Sequence, residues 1–501
     1  MNKYIVKIST LVAVAMMPLA TNAQQTLTLE QCREMAIENN KTLRQAETKI
    51  EMAGYDRKIA FANYLPNISA TGAYIYNAND IALVSDATSQ KLQNMGTLIH
   101  TQTQTLSQNL MAAIKSNPAA AMEYMKSPMW QTVLGALSQT DMSQTINALG
   151  KEIDDAFHPD MQNIFAGAVT VQQPVFMGGK IVASNQMAKY AEELAQSQYD
   201  AEHAQVLADI EQAYWQIVSI AAKKNLAENY ADLLRQMGKD VDALVAEGFA
   251  TPSDALTIKV KMNEAEMLYT KATNGLALAK MLLCKECGLP LDSEITLADE
   301  TLDAIPVPQM SPVISDEEVY AARPEIRSLD LAKKIYDKKV AVVRADGLPT
   351  VAVMANYAVT NPNVFNGFQN KFGGFFSAGV LVNVPIFHGT EAIQKTRKAK
   401  AEAALTQYRL DDAKEMISLQ VAQLRQQEGE ALEKLTMAES NLENAEENLR
   451  VATAGWNEGM IASNVVLQAQ TAWLQAHSEY IETGVELQMC SVNLAKAEGR
   501  L

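Results

Sequence analysis

Pro174-Val175-Phe176-Met177-Gly178 returns as Pro385-Ile386-Phe387-His388-Gly389, 211 positions later (385 minus 174). Glu247-Gly248 with Leu256 returns at the same offset as Glu458-Gly459 with Leu467. Upstream, Leu43-Arg44 matches Ile326-Arg327, and Leu65-Pro66 matches Leu348-Pro349, both at an offset of 283 (349 minus 66). The 72-residue difference between the offsets places one insertion in the first copy, between Pro66 and Pro174. The chain therefore reads as an internal duplication. Each copy runs medium helix, strand, loop, strand, long helix, break, medium helix.

The strands are read from alternation. Val351, Val353, Ala355 and Tyr357 oppose Thr350, Ala352 and Asn356, and Ala378, Val380, Val382, Val384 and Ile386 oppose Ser377, Gly379 and Asn383. In the first copy Ile68, Ala70, Gly72, Tyr74 and Tyr76 oppose Asn67, Ser69 and Thr71. Gly167, Val169, Val171 and Val175 oppose Thr170 and Gln172. Segments of roughly ten residues with one apolar side are the signature of a membrane barrel. A sandwich with one wet face fits the same pattern. Four strands are too few to close a bore, because barrel diameter grows with strand number, so a pore needs several chains.

The expected long helices run over Ile181–Ala246 and Glu391–Asn457, each about 100 Å at 1.5 Å per residue. Each stops at a glycine-containing break, and Pro252 suits the first turn of the helix that follows. The return helices, Ser253–Cys287 and Ser463–Ala497, are only about half as long. Leu29–Ala62 and Glu317–Ala345, each leading into a strand, supply the missing half. One side of each long hairpin is thus expected to be two helices stacked end to end. The join falls in the proline-bearing linker Gly288–Ser315. Leu435, Ala438, Leu442, Ala445, Leu449 and Ala452 make a heptad seam, and Leu226, Tyr230, Leu233 and Met237 make a second stripe.

The 501 residues carry a net charge of −16, which argues against nucleic acid as a partner. Lys3 and Lys7, the apolar run Ile8–Leu19 and small residues at Thr21 and Ala23 read as a secretory signal over residues 1–23. No other stretch reaches the roughly 18 apolar residues of a membrane helix, so membrane entry is expected through strands. Cys284 and Cys287 form a lone C-x-x-C with no second ligand pair, read as helix-end packing rather than zinc. The five histidines are scattered, and nucleophile-elbow, phosphate-loop and H-E-x-x-H motifs are missing. No catalytic residue, metal site or cofactor is therefore expected.

The paired Pro-Val-Phe-x-Gly and Pro-Ile-Phe-x-Gly motifs, the two Leu-Pro strand openings and the two glycine breaks resemble the TolC-like outer-membrane efflux family over about Leu29–Leu501, the insertion excepted. The resemblance implies a mixed α and β, mostly helical fold. Three chains would pool four strands each into a 12-stranded outer-membrane β-barrel, continued into a periplasmic α-helical coiled-coil tunnel. The parts would be a first periplasmic helix (24–63), a strand pair (64–177) with an extracellular insertion (77–164), a helical hairpin (178–288) and an equatorial linker (289–316). A periplasmic helix (317–346), a second strand pair (347–388) and a second hairpin (389–501) would follow. The insertion holds helical stretches such as Leu92–Ile114 and Met129–Leu149, expected as a solvated decoration.

The resemblance also implies partners: a homotrimer, a periplasmic adaptor (membrane fusion) protein, an inner-membrane pump and outer-membrane lipid. The adaptor-binding tips would be Gly248, Phe249, Ala250 and Thr251 with Gly459, Met460, Ile461 and Ala462. The periplasmic constriction would involve Asp254, Asn464, Val465 and Gln468. A well-known member closes its mouth there with an aspartate ring; Val465 and Gln468 stand at the matching positions, so that ring is missing. Constriction by apolar and amide side chains is the expectation instead. A non-channel adhesin or structural coiled-coil protein explains the signal and the heptads but not the duplicated strand pairs.

Overall fold

A computed structural model describes residues 25–78, 84–117, 126–128, 142–158, 161–302, 305–310, 312–366, 369–387 and 389–501. The expected signal peptide, His388 and most of the stretch Met129–Met142 lie outside the described residues. In chain order the elements begin β1 (Gln25–Leu27), α1 (Leu29–Asn39), α2 (Lys41–Ala62), β2 (Asn67–Tyr76), α3 (Asp86–Gln93), α4 (Met95–Ser116), α5 (Ser143–Phe157) and β3 (Asn163–Met177). They continue α6 (Lys180–Ala246), α7 (Pro252–Glu286), β4 (Ile295–Leu297), α8 (Asp316–Ala322), α9 (Pro324–Ala345), β5 (Thr350–Asn361), β6 (Gly373–Asn383), α10 (Glu391–Asn457) and α11 (Ser463–Ala497). They fall into a helical unit (1–60, 182–344, 390–501) and a sheet unit (61–181, 345–389).

In the helical unit the offset of 211 holds element by element. α6 and α10 both have 67 residues, and α7 and α11 both have 35. The expected seam faces inward: Leu435, Ala438 and Ala452 are buried, and Leu442, Ala445 and Leu449 are half-buried. Its residues join clusters with Leu487 and with Val466 and Ala469 of α11. The other stripe needs one correction. Leu226, Tyr230 and Met237 are buried, but Leu233 is exposed and Leu234 takes its place. The cause is that α6 packs on two neighbours at once, Ala265 of α7 and Leu467 of α11, so its buried face is wider than a two-helix seam.

A second correction concerns the medium helices, expected to be continuous. Each is broken, at Asn40 (φ −63°, ψ 124°) and at Arg323 (φ −74°, ψ 118°). Pro324 disfavours helical backbone at Arg323. Asn40 leaves the helix and caps the next one, its Oδ1 accepting from the Thr42 N–H at 2.8 Å. Each break docks on the end of a return helix. Asn40 Nδ2 donates to the Glu286 carbonyl at 3.2 Å. Arg323 Nη1 donates to the carbonyls of Ala497 at 3.0 Å and Lys496 at 3.3 Å. Gly288 (φ +73°) and Gly499 (φ +72°) allow the approach: a Cβ on them would stand 2.5 Å from Asn39 Cβ and 2.8 Å from Ala322 Cβ. The end-to-end stacking read from helix lengths is thus present, with a joint in each half.

The linker also holds an unanticipated element. β4 pairs in parallel with β1, Gln25 opposite Ile295 and Leu27 opposite Leu297. Three-residue strands leave no periodicity to read. Further on, Ile305 sits against Gly484, and Gln488 donates to the Pro306 carbonyl, so the linker is strapped onto α11.

The sheet unit is an antiparallel sheet of order β2-β3-β5-β6. Register runs Ile68–Val171–Ala355–Ala378 and Ala70–Val169–Tyr357–Phe376. Because side chains alternate with period two, the apolar sets expected on separate strands fall on one common face. Strand ends differ from expectation: β5 runs on to Asn361 rather than Tyr357, and β6 begins at Gly373 rather than Phe376. β6 ends at Asn383 rather than Ile386, since its partner Thr350 follows Pro349 and Pro385 has no N–H to pair. β3 does pass its proline, through a bulge that brings Phe176, not Val175, opposite Val351. In the insertion α3, α4 and α5 pack closely. A Cβ on Gly96 would meet Ser143 O at 2.2 Å, and one on Gly150 would meet Leu92 O at 2.0 Å. The buried Asp154 accepts from Ser89 Oγ at 2.7 Å and Gln93 Nε2 at 2.6 Å. The described part of the insertion is therefore a packed helical cluster.

Candidate functional site: hairpin tips and an uncovered sheet face

At the first tip Gly248 takes φ +80°, and the Phe249 N–H donates to the Leu244 carbonyl at 2.8 Å. At the second, Gly459 takes φ +73° and the Met460 N–H donates to the Gly455 carbonyl at 2.8 Å. These six-to-one bonds at left-handed glycines are Schellman endings. The next residue points outward in both, Phe249 82% exposed and Met460 78%. The one after turns inward: Ala250 and Ile461 pack on one cluster with Val241, Ile258 and Val466. Ile461 also covers Gly455, where a Cβ would meet Ile461 Cδ1 at 2.5 Å. The structure thus joins the two tips through Ala250 and Ile461 and leaves Gly248, Phe249, Gly459 and Met460 on the surface.

The tips then diverge. Thr251 and Asp254 form a capping box. Thr251 Oγ1 accepts from the Asp254 N–H at 3.3 Å, and Asp254 Oδ2 accepts from the Thr251 hydroxyl at 2.7 Å and its N–H at 2.9 Å. These bonds hold the carboxyl below the usual aspartate range. Ala462 and Val465 occupy the corresponding positions, and Ala462 caps without a side-chain bond. Asn464, Val465 and Gln468 lie exposed on one side of α11. Asp254 therefore belongs to a local cap, while the other three expected constriction residues share an open surface.

Sequence reasoning missed a stripe on α7: Leu256, Val260, Met267 and Leu278 are 56–66% exposed. Their spacing of 4, 7 and 11 residues puts all four on one side of a straight helix at 3.6 residues per turn. The counterpart of Leu256, Leu467, is buried. Apolar residues recurring at helical spacing along the return helix were the available signal.

In the sheet unit the common apolar face is bare. Ile68, Tyr74, Val169, Val353, Tyr357 and Phe376 on it are 44–66% exposed, Val171, Val351 and Ala355 are half-buried between strands, and no second layer covers this face among the described residues. Rings gather at one end of the sheet: Tyr74 and Phe165 stand 4.8 Å apart, Phe165 and Phe372 6.1 Å, and Phe365 and Phe375 5.2 Å. Phe61, Tyr64 and Phe176 are exposed at the other end. No helix among the described residues is long and apolar enough to cross a membrane. No group of three or more His, Cys, Asp or Glu among them is arranged to hold a metal ion.

The profile of the outer membrane efflux protein family matches residues 135–284 and 317–500. The chain belongs to this family. Among its relatives, the alkaline protease secretion protein AprF of Pseudomonas aeruginosa is 24% identical over 233 residues, 46% of this chain and 48% of AprF. The chain thus spans about half of AprF's length. The cobalt-zinc-cadmium resistance protein CzcC of Cupriavidus metallidurans is 25% identical over 320 residues, 62% of this chain and 71% of CzcC. The Campylobacter jejuni CmeC outer membrane channel shares the fold, with a TM-score of 0.69, 13% identity, and coverage of 94% of this chain and 85% of that one.

Proposed function

We propose that the protein is the outer-membrane channel of a tripartite efflux or type I secretion system, made from a duplicated gene and assembled as a homotrimer. The observation that carries this is the sheet: one apolar face that no described residue covers, with aromatic rings towards both ends and outer edges at β2 and β6 that no strand among the described residues pairs. Backbone groups facing lipid must be paired within protein, so the edges call for neighbouring copies. Three copies bring twelve strands, enough for a barrel with a bore. The apolar face meets lipid, and the opposite face, with Asn67, Thr170, Asn356 and Ser377, lines the lumen. The stripe on α7 supplies a second contact between copies in the periplasmic tunnel.

The channel performs no chemistry. An inner-membrane pump supplies energy, and a periplasmic adaptor grips the tips, where Phe249 and Met460 project. Asn464, Val465 and Gln468 narrow the periplasmic mouth, while Asp254 acts there through the cap it forms with Thr251. The names of AprF and CzcC point to two cargo classes, secreted protein and metal ions; the pump selects between them.

Planar-bilayer conductance of the detergent-extracted trimer tests the reading. Discrete steps are expected, small for the wild type and larger for Val465→Ala/Gln468→Ala, which trims the side chains that narrow the mouth. Folded, membrane-extracted protein without steps, even after the insertion is deleted, would sink it in favour of an adhesin or scaffold.

A further inference from the structure

Three of the four cysteines meet at the joint of the first half. Cys32 lies on α1, Cys284 on the last turn of α7, and Cys287 caps that helix; all three are fully buried as free thiols. Cys490 is half-buried in a different cluster, with Leu487 and Tyr480. The three are not equivalent. Cys284 Sγ faces the Ser293 carbonyl at 3.9 Å, within its own chain turn. Cys287 Sγ stands 3.7 Å from the Cys32 carbonyl, across 255 residues of sequence. The Cys287 thiol also hydrogen-bonds that of Cys32, which holds Cys32 below the usual thiol range and pushes Cys287 above it. The two segments are clamped beside the sulfurs by contacts that need no covalent link: Asn40 on the Glu286 carbonyl, and Gly288 against Asn39.

We propose that Cys32 and Cys287 are oxidised to an intramolecular disulfide that staples α1 to the end of α7. The proposal rests on the export reading, because disulfides persist in the periplasm and not in the cytosol. Since the folded joint shields both sulfurs, oxidation belongs to the folding chain. One thiolate attacks the disulfide of an exported thiol oxidant and forms a mixed disulfide; the second thiolate then displaces the oxidant's sulfur. Two S–H bonds are lost, one S–S bond forms, and the oxidant leaves as a dithiol carrying both electrons and both protons.

The test uses the full chain from the outer-membrane fraction, alkylated under denaturing conditions and digested without reduction. Trypsin cuts after Lys285, between Cys284 and Cys287, so mass spectrometry separates the two partners. The expected result is a linked peptide pair holding Cys32 and Cys287, two hydrogens lighter than the sum of the free peptides, with Cys284 and Cys490 alkylated. On a denaturing gel the unreduced monomer should run ahead of the reduced one, in wild type and in Cys490→Ser but not in Cys287→Ser. Alkylated Cys32 and Cys287 in outer-membrane protein would overturn the staple and leave the export reading standing, as would a link through Cys284. If the chain never reaches the outer membrane, the export reading fails instead. Refolding the purified chain in a glutathione redox buffer then decides the geometry: the Cys32–Cys287 link supports it, and any other pairing or none overturns it.

Discussion

Cys287 and Glu498 hold the same place in the two halves, each capping a 35-residue return helix, and the residues around them differ in kind. Around Cys287 stand Tyr214, Ile217 and Cys32, all fully buried. The counterparts of Tyr214 and Ile217, 211 positions on, are Arg425 and Glu428; that of Leu289 is Arg500. Glu498 is fully buried and accepts from Arg425 Nη2 at 2.8 Å and from Arg500. Glu428 is 3% exposed, and its Oε1 has no hydrogen-bond partner. One backbone joint is thus filled with apolar groups and thiols in one half and with a charge network in the other. The shared requirement is steric, a glycine after the helix and a side chain to hold the last carbonyls; the filling is free to differ.

The sharpest way to break this contrast is to remove charge from one side. Arg425→Met leaves Glu498 with Arg500 alone; truncating one partner of a buried charge pair costs about 3–5 kcal/mol. Tyr214→Phe, the matched change, removes only the 2.7 Å bond to Asp299, worth about 1 kcal/mol. Thermal melting of the detergent-extracted protein should rank the two in that order, and equal losses would dissolve the distinction.

The steric requirement should be common to both. Gly288→Ala and Gly499→Ala each place a Cβ against Asn39 or Ala322 at positive φ, so each should cost about 1–3 kcal/mol, the range for stored backbone strain. A large effect at only one position would show that the joints are not built alike. Hydrogen exchange at the start of α2 and of α9 reads the two separately.

Glu428 sharpens the comparison through pH. Burial and the charge of Glu498 raise its pKa, against Arg500 and Arg425. A carboxyl whose folded pKa is raised takes up protons on folding. Its stability contribution is therefore present below the unfolded value and is lost as pH rises through the folded one. Glu428→Gln should match wild type at pH 4 and melt higher than wild type above neutrality, while Ile217→Val should lower the melting temperature equally at both.

The smallest effect belongs to the tips. Asp254 has a lowered pKa, so the support it gives the first cap is present above the unfolded value and lost as acid protonates it. Ala462→Thr/Val465→Asp should install the same box in the second tip and slow amide exchange there at pH 7, with the gain gone in strong acid. No change at pH 7 would mean that the Ile461–Gly455 contact already fixes that tip.

Much of this architecture was legible in the chain itself. Both long helices are legible to within one residue, and the four strands in place though not in their ends, β5 running on to Asn361 and β6 stopping at Asn383, because buried seams and two-faced strands write their period into the sequence. What escaped reading depends on partners distant in sequence. Nothing local to Asn40 reveals that it would leave a helix to hold the Glu286 carbonyl, and the three residues of β1 are a strand only because β4 lies beside them. Pro324 was a visible stop signal, yet the length needed to match the long helix suggested one helix over Glu317–Ala345. At the site, the glycines announced the tips, but Ala250 and Ile461 sharing a cluster, and Thr251 holding Asp254, required the fold.

The two free edges of the sheet have a genetic consequence. If closure of the barrel needs β6 of each copy to meet β2 of the next, a subunit with a spoiled edge does not merely fail; it enters rings and leaves them open. With equal amounts of good and bad subunits mixing at random, only roughly one trimer in eight would be wholly intact, as closed cyclic symmetry dictates. Asn77 donates its N–H to the Gln162 carbonyl just before β3, so the even-numbered N–H groups of β2 face the open edge; proline at Ala70 of β2 would therefore act dominantly, silencing channels built mostly from sound subunits.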